Sequence, residues 1–447
     1  MLDVSISPAL IAVLMLVVLV FGIFSGFPLG FVLAGTGFVF GILFMGDRIY
    51  GICIAKSYQL LTNYILIAAP LFVFMGNMLG HSGVTEKLFS TMHIVMGGLR
   101  GGLALATVFV ATIFAACTGI IGASVVTMGI IALPPMLKRG YDKSLACGAV
   151  CAGGTLGILI PPSIMMVIYG PMAAISVGQL FAGAFVPGFI LSGLYMAYIA
   201  IACWLKPELG PSLPIEERRS MTFKQKVVAM ATQLVPPVIL ILGVLGSIFA
   251  GIATPTEAAG CGAFIATLLA IAYRRFNLKV LKDTLGGTLY ITGFLMLLTV
   301  GAGMFTSVFS YLGGSQFATA VLSAVPGGKW GSFAVMMFII FIFGMLIEWI
   351  GSIFIVVPLF TPVAATLGFD PLWFAIAVCV MYQTGFLSPP NAHAIFYLKG
   401  VAPPEVTVGD IIRGVWPFIG LILVGLTLIT IFPRLVLWLP DLIIGIR

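Results

Sequence analysis

The chain has 447 residues, of which 61% are hydrophobic and 8% charged, with a formal net charge of +7 and a mean hydropathy of +1.21. That composition excludes a large soluble domain and identifies a polytopic membrane protein. The apolar runs are continuous and about helix length, which excludes a β-barrel of short alternating segments, and the basic residues sit in short loops rather than in a nucleic-acid-binding patch.

In chain order, the N-terminal stretch MLDVSISPALIAVLMLVVLVFG lacks a basic n-region and a small-residue cleavage site, so it reads as a retained helix and not a signal peptide. A pair of crossings is expected over Pro8 to Ser25 and Pro28 to Met45. Asp47 to Leu61 carries Arg48 and Lys56, is too polar to span, and is expected to lie as an amphipathic helix at the membrane interface. Gly102 to Cys117 turns through TGIIGAS and resumes to Leu133; arms of about 15 residues, against the roughly 20 needed to span, predict a re-entrant hairpin. Cys147 and Cys151 stand one helical turn apart without a His or acidic partner and read as small packing residues. The seven cysteines form no disulfide framework.

GGTLGILIPPS, Gly153 to Ser163, then interrupts an apolar run with glycines and two prolines. Lys206 to Lys226 is polar, charged and proline-containing, and divides the chain into 1–205, a linker 206–226, and 227–447. Two further apolar runs, Gln233 to Ile252 and Ala258 to Ile271, lead to the basic segment Tyr273 to Asp283. The second run is preceded by TPTE, which predicts a capping box with Thr254 at N-cap, Pro255 at N1 and Glu257 at N3. A second hairpin is expected through GMLIEWIGS, Gly344 to Ser352, and a second interruption at MYQTGFLSPPN, Met381 to Asn391.

The halves correspond without a gap. Pro134 and Pro362, Gly140 and Gly368, Asp142 and Asp370, Cys151 and Cys379, Gly157 and Gly385, and Pro161-Pro162 and Pro389-Pro390 are all 228 positions apart (389 − 161). This is an internal duplication. KRGYDK, Lys138 to Lys143, has three basic residues and its counterpart TLGFDP, Thr366 to Pro371, has none, so the positive-inside rule puts the two loops on opposite sides and the repeats in inverted topology. The basic segments would be cytoplasmic and the N-terminus outside. Asp142 and Asp370, with Pro371 at N1, read as helix caps.

A helix broken in lipid frees peptide groups that must be satisfied, so something polar has to occupy the gap. Freed carbonyls suit a cation such as Na⁺, and restarted helix N-termini suit an anion. Pro162 and Pro390 are expected in the first turn of a restarted helix, with Pro161 and Pro389 beside them in the break. Gly153, Gly154 and Gly157 are expected to give the unwound stretch angles closed to other residues. Thr155, Ser163, Gln383, Thr384, Ser388 and Asn391 supply side-chain oxygens or amides near the two breaks, and Gly385 stands opposite Gly157 in the second copy.

LPPMLKRGYDKSLACG, GGTLGILIPPS, ATPTEAAGCGAF, EWIGSIFIVVPLFTPV and FLSPPNAHAIFYLKGVAPPEVTVGDIIRGVWPF, in that order, give the chain a resemblance over nearly its whole length. It resembles the large membrane permease subunit of the tripartite ATP-independent periplasmic (TRAP) transporters. The resemblance implies a bacterial inner-membrane, Na⁺-coupled elevator for a small organic anion such as a carboxylate, with no organic cofactor. Its partners would be a small four-helix membrane subunit (Q), separate because the chain begins at the large subunit's first helix, and a periplasmic solute-binding protein (P). It places hairpin tips at Thr118 to Ser124 and Glu348 to Ser352, and so adds Gly122, Ser124, Glu348, Gly351 and Ser352 as ion-site residues, with Ser124 and Ser352 also toward the solute. The first tip, Gly122-Ala123-Ser124, departs from the family's Ser-Gly-Ser type, and Asn391-Ala392-His393 departs from its glycine-containing forms.

Glu348 has two readings, acceptor for hairpin amides or direct coupling residue. His393 has two as well: donor to a solute carboxylate or sulfonate, or a ring bonded to nearby backbone. Arg413 with Trp416 reads as an interfacial anchor. A hydrolase built on Ser124 or Ser163 with His393 lacks a nucleophile motif, and a channel would not call for two hairpins on inverted repeats. The nearest alternative is a solitary ion-coupled organic-anion symporter that needs no binding protein.

Overall fold

The computed structural model describes residues 7–218 and 221–445. Met1 to Ile6, at the start of the expected first segment, and Arg219 and Ser220 of the linker lie outside the described residues. Every regular element among the described residues is helical. The first half runs α1 (Pro8–Phe24), α2 (Leu29–Met45), α3 (Arg48–Leu61), α4 (Ala68–His81), α5 (Val84–Met96), α6 (Gly102–Thr118), α7 (Ile121–Lys138), α8 (Lys143–Thr155), α9 (Ile164–Ala173) and α10 (Val177–Leu205). A short α11 (Ile215–Arg218) lies in the linker. The second half runs α12 (Phe223–Ile241), α13 (Ser247–Phe249), α14 (Pro255–Ala272), α15 (Leu278–Tyr311), α16 (Gly314–Ser323), α17 (Gly328–Leu346), α18 (Trp349–Thr366), α19 (Pro371–Leu387), α20 (His393–Val401), α21 (Val408–Ile431) and α22 (Arg434–Ile444). Among the described residues nine helical stretches are long and apolar enough to cross a membrane. The chain is a multi-pass membrane protein.

The helix starts follow local chemistry. Asp142 Oδ1 accepts from the Leu145 amide and Asp370 Oδ1 from the Trp373 amide, both at 2.8 Å, with Pro371 at N1. Thr254 and Glu257 form the expected capping box at α14. The hairpin arms are longer than expected: α6, α7, α17 and α18 have 17, 18, 19 and 18 residues. The reason is that α7 continues through Pro134 and Pro135, and α18 through Pro358 and Pro362. Each proline removes one N–H, and the neighbouring helical bonds carry the helix past it.

Element bounds keep the offset of the duplication. Ile121 and Trp349 start, and Lys138 and Thr366 end, the second hairpin arms; Lys143 and Pro371 start the helices that break, each pair 228 positions apart (349 − 121). One pair departs from this. The chain leaves helix α3 at Thr62 and re-forms through a 3₁₀ turn, Tyr64–Ile67, into α4. The corresponding region of the second half is one unbroken 34-residue helix, α15.

α15 packs closely on α2 through small residues. A methyl on Gly30 would stand 2.9 Å from Leu297 Cγ, and one on Gly37 2.9 Å from Phe305 Cα, so only glycine lets the helices approach this far. α3 packs against both α15 and α2, with Arg48 Nη1 donating to Tyr311 OH at 3.2 Å. The linker is stitched to both ends of the first hairpin. The Gly101 amide donates to Gly210 O (2.8 Å) and the Asp142 amide to Leu209 O (3.0 Å), while Arg139 Nη2 pairs with Glu217 Oε2 at 2.6 Å. α6 and α7 therefore leave from and return to one place. α5 joins the basic segments: Glu86 pairs with Arg275 at 3.3 Å, Lys87 lies 4.2 Å from the Tyr273 ring centroid, and Gly97 O accepts from Leu213. The three segments expected on one side of the membrane lie together.

Candidate functional site

Both interruptions are true helix breaks. α8 ends at Thr155, makes one 3₁₀ turn (Leu156–Ile158) and restarts at Ile164; α19 ends at Leu387 and the chain restarts at His393. Both Pro-Pro bonds are cis. Pro162 and Pro390 do not occupy a first helical turn. Ser163, at φ −127° and ψ 131°, is the cap of α9, and Ala392 precedes α20, so both prolines lie outside the helix they were expected to start.

The glycines also act differently from expectation. None of Gly153, Gly154 and Gly157 has a positive φ. Gly153 and Gly154 are helical and serve close packing: a methyl on Gly153 would lie 2.9 Å from Ala111 Cβ, and one on Gly154 3.1 Å from the Val125 backbone. A methyl on Gly157 would point at the first hairpin tip, 3.3 Å from Ile120 O and 3.5 Å from Ser124 Oγ. The left-handed residue is Gly119, φ +64°, where α6 ends; a side chain there would also meet Pro162 O at 2.7 Å.

The two tips and the two breaks meet around one cavity of about 220 Å³. The first tip gives Gly119, Ile120 and Gly122, the second Glu348, Trp349 and Ile350. The breaks give Ile158 and Ile164 from one side, Phe386 and His393 from the other. α15 closes the wall with Tyr290, Ile291 and Phe294, and α20 with Tyr397.

Of the residues expected from sequence, Gly122, Glu348 and His393 line this cavity. Glu348 caps α18, accepting from the Ile350 amide at 3.0 Å, which is the first of its two readings, while its carboxylate remains on the cavity wall. His393 lies between Phe386 and Tyr397, with ring centroids at 6.3 and 6.2 Å, and has no hydrogen bond among the described residues, so its bonded-to-backbone reading is not what the structure has.

The others stand behind the wall. Ser124 Oγ and Thr118 Oγ1 are 3.2 Å apart. Ser352 Oγ pairs with Tyr382 OH at 2.7 Å. Thr155, Thr384 and Ser388 donate to carbonyls of their own helices, at 2.9, 2.6 and 2.8 Å, and the Ser163 hydroxyl donates to Ile158 O. The Asn391 amide donates to Met345 O at 3.1 Å, tying the second break to its hairpin. Gly351 packs on Leu29 and Gly385 on Gly344. Gln383 is fully buried, and neither its oxygen nor its nitrogen has a partner among the described residues. No cluster of three His, Cys, Asp or Glu occurs among the described residues.

Sequence reasoning missed Tyr290, Phe294, Tyr382 and Tyr397. Tyr397 stands 228 positions after Tyr169, but that offset does not point to a site; these side chains arrive by long-range packing. Arg413 and Trp416 are exposed on α21, away from the cavity.

The sequence matches the family described as "Tripartite ATP-independent periplasmic transporter, DctM component" over residues 13–435. It is 32% identical over 401 residues to the C4-dicarboxylate TRAP transporter large permease protein DctM of Pseudomonas aeruginosa, covering 90% of this chain and 91% of that one. It is 30% identical over 383 residues to the isethionate TRAP transporter permease protein DctMQ of Oleidesulfovibrio alaskensis, covering 85% of this chain and 58% of that one. In fold it is similar to the Alcanivorax borkumensis YdaH transporter, with a TM-score of 0.61 at 15% identity over 89% of this chain and 88% of that one.

Proposed function

The chain belongs to the DctM family of tripartite ATP-independent periplasmic transporters, and from that premise we propose that it imports a small organic anion coupled to Na⁺, by an elevator motion in the bacterial inner membrane. The observation that carries this reading is the meeting of both tips and both breaks around one cavity. Helix interruptions cost several kcal/mol per unsatisfied group in a dry bilayer, and they are tolerated where they line a polar path. The Ile120 carbonyl, Ser124 Oγ and Thr118 Oγ1 gather beside Gly157 and suit a Na⁺ ion. The unpartnered amide of Gln383 supports a second polar ligand close to the other break, because an unpaired buried amide is costly to keep. The tip amides and His393 suit a carboxylate or sulfonate in the cavity.

The two repeats are inverted, with the basic segments cytoplasmic and the N-terminus periplasmic. The hairpins and broken helices move as a unit against α1 to α4 and α14 to α16. A periplasmic solute-binding protein delivers the solute, and a small Q subunit supports the permease; the isethionate relative, of which this chain spans 58%, has length beyond the shared region for such a partner. The test is uptake into proteoliposomes, with the solute first identified by thermal-shift screening of the binding protein. Uptake that needs the binding protein, the small subunit and an inward Na⁺ gradient together is the expected result. Na⁺-driven uptake without the binding protein would replace this reading with a solitary symporter, and uptake indifferent to Na⁺ would remove the coupling.

A further inference from the structure

α9, α15 and α18 each run past the cavity described above and onward to a second one. Ile164, Phe294 and Ile350 line the first. Ile168, Thr299 and Phe354 line the second. Four or five residues separate the two along each helix, about 6 to 8 Å at the helical rise. The second cavity has a volume of about 250 Å³, and α3 closes it with Lys56, Gln59 and Leu60, followed by Asn63 in the turn beyond the helix. α8, which leads into α9, begins at Lys143 beside the basic loops, so α9 carries this seam toward the opposite face. Lys56 is the one ionisable residue on the second cavity's wall among the described residues. Its ammonium is 3.3 Å from the neutral Gln59 Oε1, and no described carboxylate pairs with it. The first cavity, by contrast, carries the Glu348 carboxylate.

We propose that this second cavity is the outer vestibule of the transport seam, where Lys56 captures a small carboxylate- or sulfonate-bearing solute before it reaches the hairpin tips. The direction of travel rests on the transport reading above, and the charge preference does not. A single ammonium between neutral, low-dielectric walls focuses its field into the cavity and draws anions from solution. Gly303 leaves room for the α3 side chains on this wall, since a methyl there would lie 3.0 Å from Leu60 Cδ1 and 4.0 Å from Lys56 Cβ.

The charge is tested on the purified full chain, in a Cys53→Ser, Cys261→Ser background, with Gln59→Cys as reporter. An anionic methanethiosulfonate reagent is expected to modify Gln59→Cys at least about tenfold faster than a cationic one. Lys56→Gln is expected to erase that preference and Lys56→Arg to keep it. A preference for the cationic reagent, or one unaffected by Lys56→Gln, overturns the proposal. The path is tested by uptake with the binding protein and small subunit present, using succinate and isethionate as probes beside the identified solute. Lys56→Gln is expected to raise KM about tenfold, the loss of one charge-assisted hydrogen bond, with kcat retained. An unchanged KM, with the labelling preference lost, overturns the assignment to the solute's path. Protection of Gln59→Cys by phosphatidylglycerol vesicles but not by solute overturns it in favour of a lipid headgroup. Failure of the wild-type complex to take up any of the anions overturns the transport reading itself, and the vestibule's role with it.

Discussion

Gly157 and Gly385 hold the same position in the two copies, yet a methyl added to each meets different neighbours. At Gly157 it stands 3.3 Å from Ile120 O and 3.5 Å from Ser124 Oγ, a contact that small shifts absorb, but it occupies the space that those oxygens share. At Gly385 it comes within 2.6 Å of the Gly344 backbone, which cannot yield without moving the hairpin. Gly157→Ala is therefore expected to leave the Tm nearly unchanged and to weaken Na⁺-dependent uptake, whereas Gly385→Ala is expected to cost about 1–3 kcal/mol of stability by overpacking. Thermal unfolding and uptake measured on both variants check this; equal losses of stability in the two would remove the cation site from Gly157. Gln383 makes a second case. Replacing an unpartnered buried amide with an apolar side chain removes a desolvation cost, so Gln383→Leu is expected to stabilise the protein by about 1–3 kcal/mol while lowering uptake. Full uptake by that variant would make Gln383 a packing residue.

At the scale of the elements, the acids separate by position. Asp142 and Asp370 cap α8 and α19 at the ends away from the breaks, whereas Glu348 caps α18 on the cavity wall. Asp142→Ala is expected to cost about 1 kcal/mol through the lost cap, with uptake per folded molecule unchanged. Glu348→Gln, which keeps an acceptor for the Ile350 amide, is expected to lower uptake with little change in Tm; unfolding curves and uptake normalised to folded protein check the pair. Much of this was legible in the sequence, because prolines and glycines in an apolar run and an ungapped 228-residue offset are properties of the chain itself. The starts of α9 and α20 were not, because a Pro-Pro pair fits equally well just before a helix or in its first turn, and the caps at Ser163 and Ala392 decide between them. Nor was the start of α15 inside the basic segment Tyr273 to Asp283, where Asn277 caps the helix that contains Lys279, Lys282 and Asp283, its Oδ1 accepting from the Val280 amide at 2.9 Å. The walls supplied by Tyr290, Phe294 and Tyr397 depend on which helices pack together, and no local pattern encodes that.

For the whole molecule, folding brings the two hairpin tips and the two helix breaks to one place. The linker holds both ends of the first hairpin, α2 and α15 lock together through glycines, and α3 meets α15 beside a second cavity. α3 and α4 are separated at Thr62 and Asn63 while α15 is continuous, so the two halves are not mechanically equivalent. The most direct test of the account is the structure of the assembled complex with Na⁺ and its solute bound. The account predicts the solute's anionic group at the uncapped start of α7, between Ile121, Gly122 and His393, with a cation among the Ile120, Ser124 and Thr118 oxygens beside Gly157. Solute bound elsewhere, with the tips and breaks packed dry against one another, would contradict it.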